Sequence, residues 1–177
     1  HTIIKYKKKT DTFKGVFQMQ LGQLGNSKKI TNAKNRWFFE VENLGIVYAV
    51  GFLLRKGSDY LMQIHKDKRF KYSDFGGKTE YYDKDVYDTA MRELCEESNG
   101  YLNVTREELI ESEKFYCKKS KYLLFIVDTD RDYKEAITSM GDKEIYDNKP
   151  RTTGWISDPL SFECHPRINK YFARCLI

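Results

Sequence analysis

The chain has 177 residues, of which 40% are hydrophobic and 15% aromatic, enough for one domain with a real core and too apolar for a disordered chain. Its 31 Lys+Arg against 26 Asp+Glu leave a net charge of +5, a field that attracts polyanions without requiring one. No apolar run approaches the ~20 residues of a membrane span, no secretory signal pattern is visible, and Cys95, Cys117, Cys164 and Cys175 form no C-x-x-C pair. The expectation is no membrane partner, no zinc, and reduced thiols in a cytoplasmic compartment.

Residues 1–44 read as an N-terminal extension packed on the core, with a basic cluster at Lys5, Lys7, Lys8 and Lys9 and strands over 13–21 and 37–41. Residues 45–54 read as one central strand, from their β-branched and aromatic content. A turn over 55–59 joins it to a hairpin partner at 60–65. Residues 66–72 form a basic, aromatic loop leading into Phe75-Gly76-Gly77. Its cations suit phosphates and its rings suit a base; a solvated loop is the equal alternative. His65 and His165 read as structural.

The organising stretch follows. Gly76-Gly77-Lys78-Thr79-Glu80 is a glycine turn that feeds a helix rich in carboxylates, Arg92-Glu93-Leu94-Cys95-Glu96-Glu97-Ser98-Asn99-Gly100. At about 100° per residue, Val86, Tyr87, Ala90, Met91 and Leu94 form one apolar stripe. Glu93 and Glu97 fall at its edge and Arg92 on the far side. An ordinary solvated face would put all its acids opposite the stripe. Two carboxylates leaning toward a core are costly unless paired, and three that repel one another invite a cation between them. Mg²⁺ or Mn²⁺ suits such a set of oxygens. Asp83 and Asp85 suit the helix N-terminus, and Asn99-Gly100 its left-handed end.

Downstream, 101–104 and 115–117 read as strands. Thr105 and Glu108 form a capping box for a helix over 106–110. Residues 121–127 are the clearest late strand, 133–139 a short helix, 153–156 a strand around Trp155, and 162–177 a closing amphipathic helix.

The glycine turn and acidic helix together resemble the Nudix box: Gly, five residues, Glu, seven residues, Arg-Glu, an aliphatic residue, any residue, Glu-Glu, any residue, Gly. Gly77 starts it, Asp83 takes the first acid place, and residues 92–97 fill the second half completely. Three positions depart: Asp83 replaces Glu, eight residues separate Asp83 from Arg92, and Asn99 stands where Gly is expected. The resemblance covers residues 45–177 and implies an α/β fold, the Nudix α/β/α sandwich with a mixed β-sheet.

It also implies hydrolysis of a pyrophosphate bond in a nucleotide or nucleotide-sugar type substrate, with Mg²⁺ or Mn²⁺ as cofactor. Glu93, Glu96, Glu97 and the Gly76 carbonyl would hold the ion. Arg92 would orient Glu93 and bridge to Glu80 or Asp83. The general base would be a box Glu or a later one, Glu144. Lys68, Arg69, Phe75 and Lys78 would border the substrate. Capped RNA is one specific substrate, favoured by the basic segments and by a short similarity to decapping Nudix proteins of large DNA viruses. Small nucleotides such as ADP-ribose or dinucleoside polyphosphates, inositol pyrophosphates, and a binding module that does not hydrolyse are the alternatives. Oligomeric state is not legible.

Overall fold

The computed structural model describes residues 17–174, apart from positions 33, 67, 144, 146, 147 and 149. The basic cluster Lys5, Lys7, Lys8 and Lys9 and the candidate base Glu144 lie outside the described residues. The large sheet runs β1 (Phe17–Leu21), β9 (Glu113–Cys117), β10 (Tyr122–Asp128), β5 (Ala49–Lys56), β6 (Asp59–Ile64) and β11 (Thr152–Ser157). Two short strands, β7 (Tyr72–Ser73) and β8 (Phe75–Lys78), pair with β6 and β5. β10 and β5 are parallel and the other pairs antiparallel, so the sheet is mixed. A smaller sheet joins β2 (Ser27–Thr31), β3 (Trp37–Val41) and β4 (Gly45–Val47).

Strand periodicity divides the core into two layers. On β5 and β10, Val50, Phe52, Leu54, Leu123, Phe125 and Val127 face one way, while Leu53, Tyr122, Leu124 and Ile126 face the other. The first layer is closed by α1 (Val86–Glu97), through Val86, Tyr87, Ala90 and Leu94, and by Leu109 of α2 (Arg106–Glu111). α3 (Lys134–Met140) adds Met140, and the small sheet adds Phe39, Val41 and Val47. The second layer is closed by Ile168 and by Tyr171 and Phe172 of α4 (Asn169–Arg174). Each large side chain buried this way contributes about 1.5–3 kcal/mol. Helices cover both faces of a mixed sheet, the architecture that the resemblance implies. No helix among the described residues is long and apolar enough to cross a membrane.

Four expectations about elements change. The strand expected over 45–54 is two, β4 and β5, interrupted at Tyr48 as the chain passes from the small sheet to the large one. Residues 101–104 form no strand; Leu102 is buried, but its N–H bonds the Ser98 hydroxyl at 3.0 Å instead of a ladder. The short helix of the second half starts one residue later than expected, at Lys134. The closing helix is confined to Asn169–Arg174, preceded by a single 3-10 turn at Ser161–Glu163. Pro166 lies between them and restricts the residue before it to extended backbone.

Gly51, in the middle of β5, has no room for a side chain: a Cβ there would collide with the Asp74 carboxylate and the Tyr122 hydroxyl. Gly51→Ala should therefore lower stability by about 1–3 kcal/mol or more. Gly154→Ala, which meets only the flexible Ile64 Cδ1 at 3.3 Å, should cost clearly less. Urea melts of the two variants check the contrast; equal losses would refute it.

Candidate functional site

α1 carries Glu93 and Glu97 to the side that faces β8. Asp85 caps the helix, its Oδ1 accepting from the N–H groups of Tyr87 at 2.9 Å and Asp88 at 3.0 Å. About two and three turns later, Glu93 and Glu97 lie at the rim of the core, with side chains 12% and 17% exposed, and Glu96 is at 34%. The helix ends on Asn99 and Gly100, both left-handed, with φ of 54° and 79°.

Arg92 is the hub. Its Nε and Nη2 donate to the two oxygens of Asp83 at 2.9 and 3.0 Å. Nη1 donates to Glu93 at 2.8 Å and Glu96 at 3.0 Å, and Nη2 also to the Lys78 carbonyl at 2.8 Å. All five donors of the guanidinium fork are thereby used. The helical wheel puts Arg92 opposite the apolar stripe, yet its side chain is only 16% exposed. The loop from Lys78 to Asp83 folds back over it. Of the two partners expected, the structure selects Asp83. That carboxyl also accepts from the Glu80 N–H at 2.8 Å and the Thr89 hydroxyl at 2.9 Å. Burial pushes Asp83 up, but Arg92 and these donors outweigh it and hold the carboxyl below its ordinary value.

Glu93 lies flat against Gly77, where any Cβ would collide with its carboxylate. Burial pushes Glu93 up to about 7, with Arg92 opposing. Glu97 turns toward the sheet. Its Oε2 accepts from the Gly76 N–H and from Gln63 Nε2, both at 2.6 Å, and its Oε1 stands 3.6 Å from Arg151 Nη1. Burial pushes Glu97 up to about 8, with Arg167, Arg151 and the Gly76 N–H opposing. Beneath the glycine strand, fully buried Asp74 accepts from the Tyr122 hydroxyl and, at 2.7 Å, from Arg167 Nε.

A cavity of about 290 Å³ opens beside this cluster, lined by Ile64, His65, Lys66, Lys68, Asp142, Pro150, Arg151 and Thr152. Arg151 belongs to both, its Nη2 donating to the Glu97 carbonyl.

The residues singled out from sequence divide accordingly. Arg92, Glu93, Glu96 and Glu97 are gathered on one side of α1. Gly76 is beside them, but the atom that meets a carboxylate is its N–H. Lys68 lines the cavity; Arg69 is exposed on the same loop, outside the lining. Lys78 is exposed, with its carbonyl on Arg92. Phe75 cannot border a substrate: it is fully buried in the core beneath α1. Among the described residues, no three acidic, histidine or cysteine side chains converge as a ready cation cage. Arg92 Nη1 bridges Glu93 and Glu96, while Glu97 turns to Gly76 and Gln63.

Sequence reading misses Gln63, Asp74, Tyr122, Arg151 and Arg167. They come from five separate segments, and the signal they carry is weak: polar side chains in otherwise apolar or irregular stretches.

No protein-family model matches the sequence, and no curated protein matches it. Among solved structures, the chain is similar to a pyrophosphohydrolase of Bacillus subtilis, BsRppH, at 16% identity and a TM-score of 0.45, over 84% of this chain and 95% of that one. It is also similar to a NUDIX hydrolase from Nitrosomonas europaea, at 18% identity and a TM-score of 0.34, over 62% of this chain and 70% of that one.

Arg92→Ala leaves Asp83, Glu93 and Glu96 without their common partner, and should cost about 3–5 kcal/mol, as removal of one member of a buried ion pair does. Arg92→Lys should restore little, because an ammonium cannot reproduce the fork. A variant that melts with the wild type would show that Arg92 holds nothing together.

Burial first pushes His65 and His165 down to about 4; Lys68, Arg151 and Arg167 add to it at His65, and Arg167 and Lys68 at His165, where Asp74 opposes. An unfolded imidazole titrates near 6.5, so the folded chain binds fewer protons between the two values. Their contribution is complete above about pH 6.5 and is lost as pH falls toward 4. Glu93 and Glu97 add the opposite slope. The imidazole part is therefore read as the difference between wild type and His65→Gln/His165→Gln, which should narrow from about pH 7.5 to about pH 5 in denaturant melts. A constant gap would refute it.

Proposed function

We propose that the chain is a Nudix hydrolase that uses a divalent cation to cleave a pyrophosphate bond in a nucleoside diphosphate linked to another moiety. The observation that carries this reading is the Arg92 hub. One guanidinium ties Asp83 of the glycine-led loop to Glu93 and Glu96, and Glu97 lies one residue further, against Gly76. A purely structural helix has no use for two acids at the rim of its own core with a third beside them. Their chemistry fits Mg²⁺ or Mn²⁺: all are hard oxygen donors. Burial pushes Glu93 and Glu97 up toward neutral pH, a shift that a bound cation would oppose. Glu93, Glu96 and Glu97 would hold the cation, which when bound neutralises phosphate oxygens and acidifies a water.

The remaining roles belong to the chain's own groups. Arg92 keeps Glu93 and Glu96 at a fixed separation and is a positioning residue. Arg151 spans from Glu97 to the cavity, where Lys66 and Lys68 add charge, so the anionic end of a substrate is drawn there. Ile64 and Pro150 give the same cavity an apolar wall. Its volume suits one nucleoside-sized group, near the lower end for ligand sites. A box carboxylate or Glu144 would accept the proton of the attacking water.

Among substrates, the 5′ cap of RNA is the specific candidate, on the strength of the basic loop over 66–72 and the net charge of +5. Small nucleotides such as ADP-ribose are the second reading, favoured by the modest size of the cavity. A cytoplasmic location accords with both.

Mg²⁺ or Mn²⁺ should raise the melting temperature of the wild type, and Glu97→Gln should abolish that rise together with nearly all turnover. Wild-type hydrolysis by Glu97→Gln would remove the metal assignment. Salt dependence separates the substrates. Log affinity for capped RNA should fall with log salt at about −0.7 per phosphate contact, and far less steeply for a free cap dinucleotide. Equal slopes, with faster turnover of ADP-ribose, would leave a small-nucleotide pyrophosphatase.

A further inference from the structure

Tyr81 and Tyr82 are 63% and 53% exposed. Rings of this size are ordinarily drawn into a core or an interface. Both sit on the loop between β8 and α1, with ring centroids 4.9 Å apart in an edge-to-face pair. Their support is well fixed. Lys29 Nζ donates to the carbonyls of Tyr81 at 2.6 Å and Asp83 at 3.0 Å, tying the loop to β2. Asp83 is in turn clamped by Arg92, whose guanidinium lies over the Tyr82 ring at 5.5 Å.

The charge around the pair is mixed: Lys29, Lys78, Lys84 and Arg92 stand against Glu80, Asp83 and Glu96. Lys78 and Lys84 are exposed at the two ends of the loop. Lys29 lies over the Trp37 ring at 5.7 Å, on the neighbouring small sheet. The nearest acids are largely neutralised: Asp83 by Arg92, and Asp85 by the first turn of α1 and by Arg106. Glu80 of the loop and Glu96 of α1 are the carboxylates that remain near Tyr82.

We propose that Tyr81 and Tyr82, with Lys29, Lys78 and Lys84, form a platform on which bases of a single-stranded nucleic acid stack. Base–aromatic stacking needs ring faces in solvent and is indifferent to sequence. A duplex keeps its own bases stacked and offers none. The lysines meet the phosphates between stacked bases. Because the loop is already held by Lys29 and Arg92, little ordering is needed on binding. A strand laid across Tyr82 passes directly beside Arg92, and so beside Glu93 and Glu96. The platform does not require the hydrolase reading: it binds without a cation and without turnover.

Fluorescence anisotropy with the full chain tests it, using a labelled 5′-hydroxyl RNA of about 12 nucleotides, within the span such platforms cover, in buffer free of divalent ions. Tyr81→Ala/Tyr82→Ala should weaken binding about tenfold or more, and Tyr81→Phe/Tyr82→Phe should stay close to wild type, since the ring face is what a base meets. Lys78→Glu/Lys84→Glu should weaken binding and flatten its salt dependence, by about 0.7 in slope per lost contact. A blunt duplex of the same sequence should bind at least about tenfold less well. Unchanged melting temperatures would confirm that the exposed pair is not part of the core. Wild-type affinity in the Ala pair, or equal affinity for duplex and single strand, would overturn the proposal and leave a loop suited to a protein partner. Absence of RNA binding by a wild type that still hydrolyses a nucleotide would overturn the platform alone and leave the proposed activity standing.

Discussion

Burying carboxylates on the core side of a helix requires a cation at each one, and Arg92 is the residue on which that balance turns. A single guanidinium satisfies Asp83, Glu93, Glu96 and the Lys78 carbonyl. It therefore fixes three things together: the path of the loop before α1, the rotation of α1 about its axis, and the spacing of two glutamates. A helix held only by its apolar stripe can roll by a few degrees at small cost. One also held by five directed hydrogen bonds cannot, because each N–H left unpaired in a half-buried setting costs about 1–3 kcal/mol.

The same logic extends under the sheet. Glu97, Asp74 and Tyr122 are polar groups in an otherwise apolar interior, and Arg151 and Arg167 are the cations that make them tolerable. Glycine supplies the space. Gly51 and Gly76 leave room for the Tyr122 hydroxyl, and Gly77 leaves room for the Glu93 carboxylate. The glycine pair thus serves as the floor on which the charged side chains rest, not as a flexible hinge.

Where the sequence departs from the Nudix box that it resembles, the structure shows what the residues present do. Asp83 is shorter than Glu, and the loop brings its carboxylate directly onto the Arg92 fork. Between Asp83 and Arg92, Asp85 opens the helix as its cap. Asn99 takes the left-handed conformation that a glycine would take, and its side chain does more. Its amide donates to the carbonyls of Met140 and Lys143 at 2.9 and 3.0 Å, and its oxygen accepts from the Ile145 N–H at 3.0 Å. A glycine at that position would release the segment after α3 from the end of α1.

Local rules sufficed for α1 and its cap, the left-handed Asn99-Gly100 end, the capping box of Thr105 and Glu108, and the strands with unbroken apolar runs. Each of these depends on neighbours a few residues away, so the information is contiguous. The acidic turn and the identity of Arg92 were legible for the same reason. The division of residues 45–54 into two strands was not, because which sheet a β segment joins is decided by partners far along the chain. Nor was the burial of Phe75, the covering of Arg92 by the loop before α1, or the gathering of Gln63, Asp74, Tyr122, Arg151 and Arg167 near Glu97. Those depend on five segments meeting across two sheet faces. A buried charge is stable only where its partners arrive in three dimensions, and no local periodicity records where that will be.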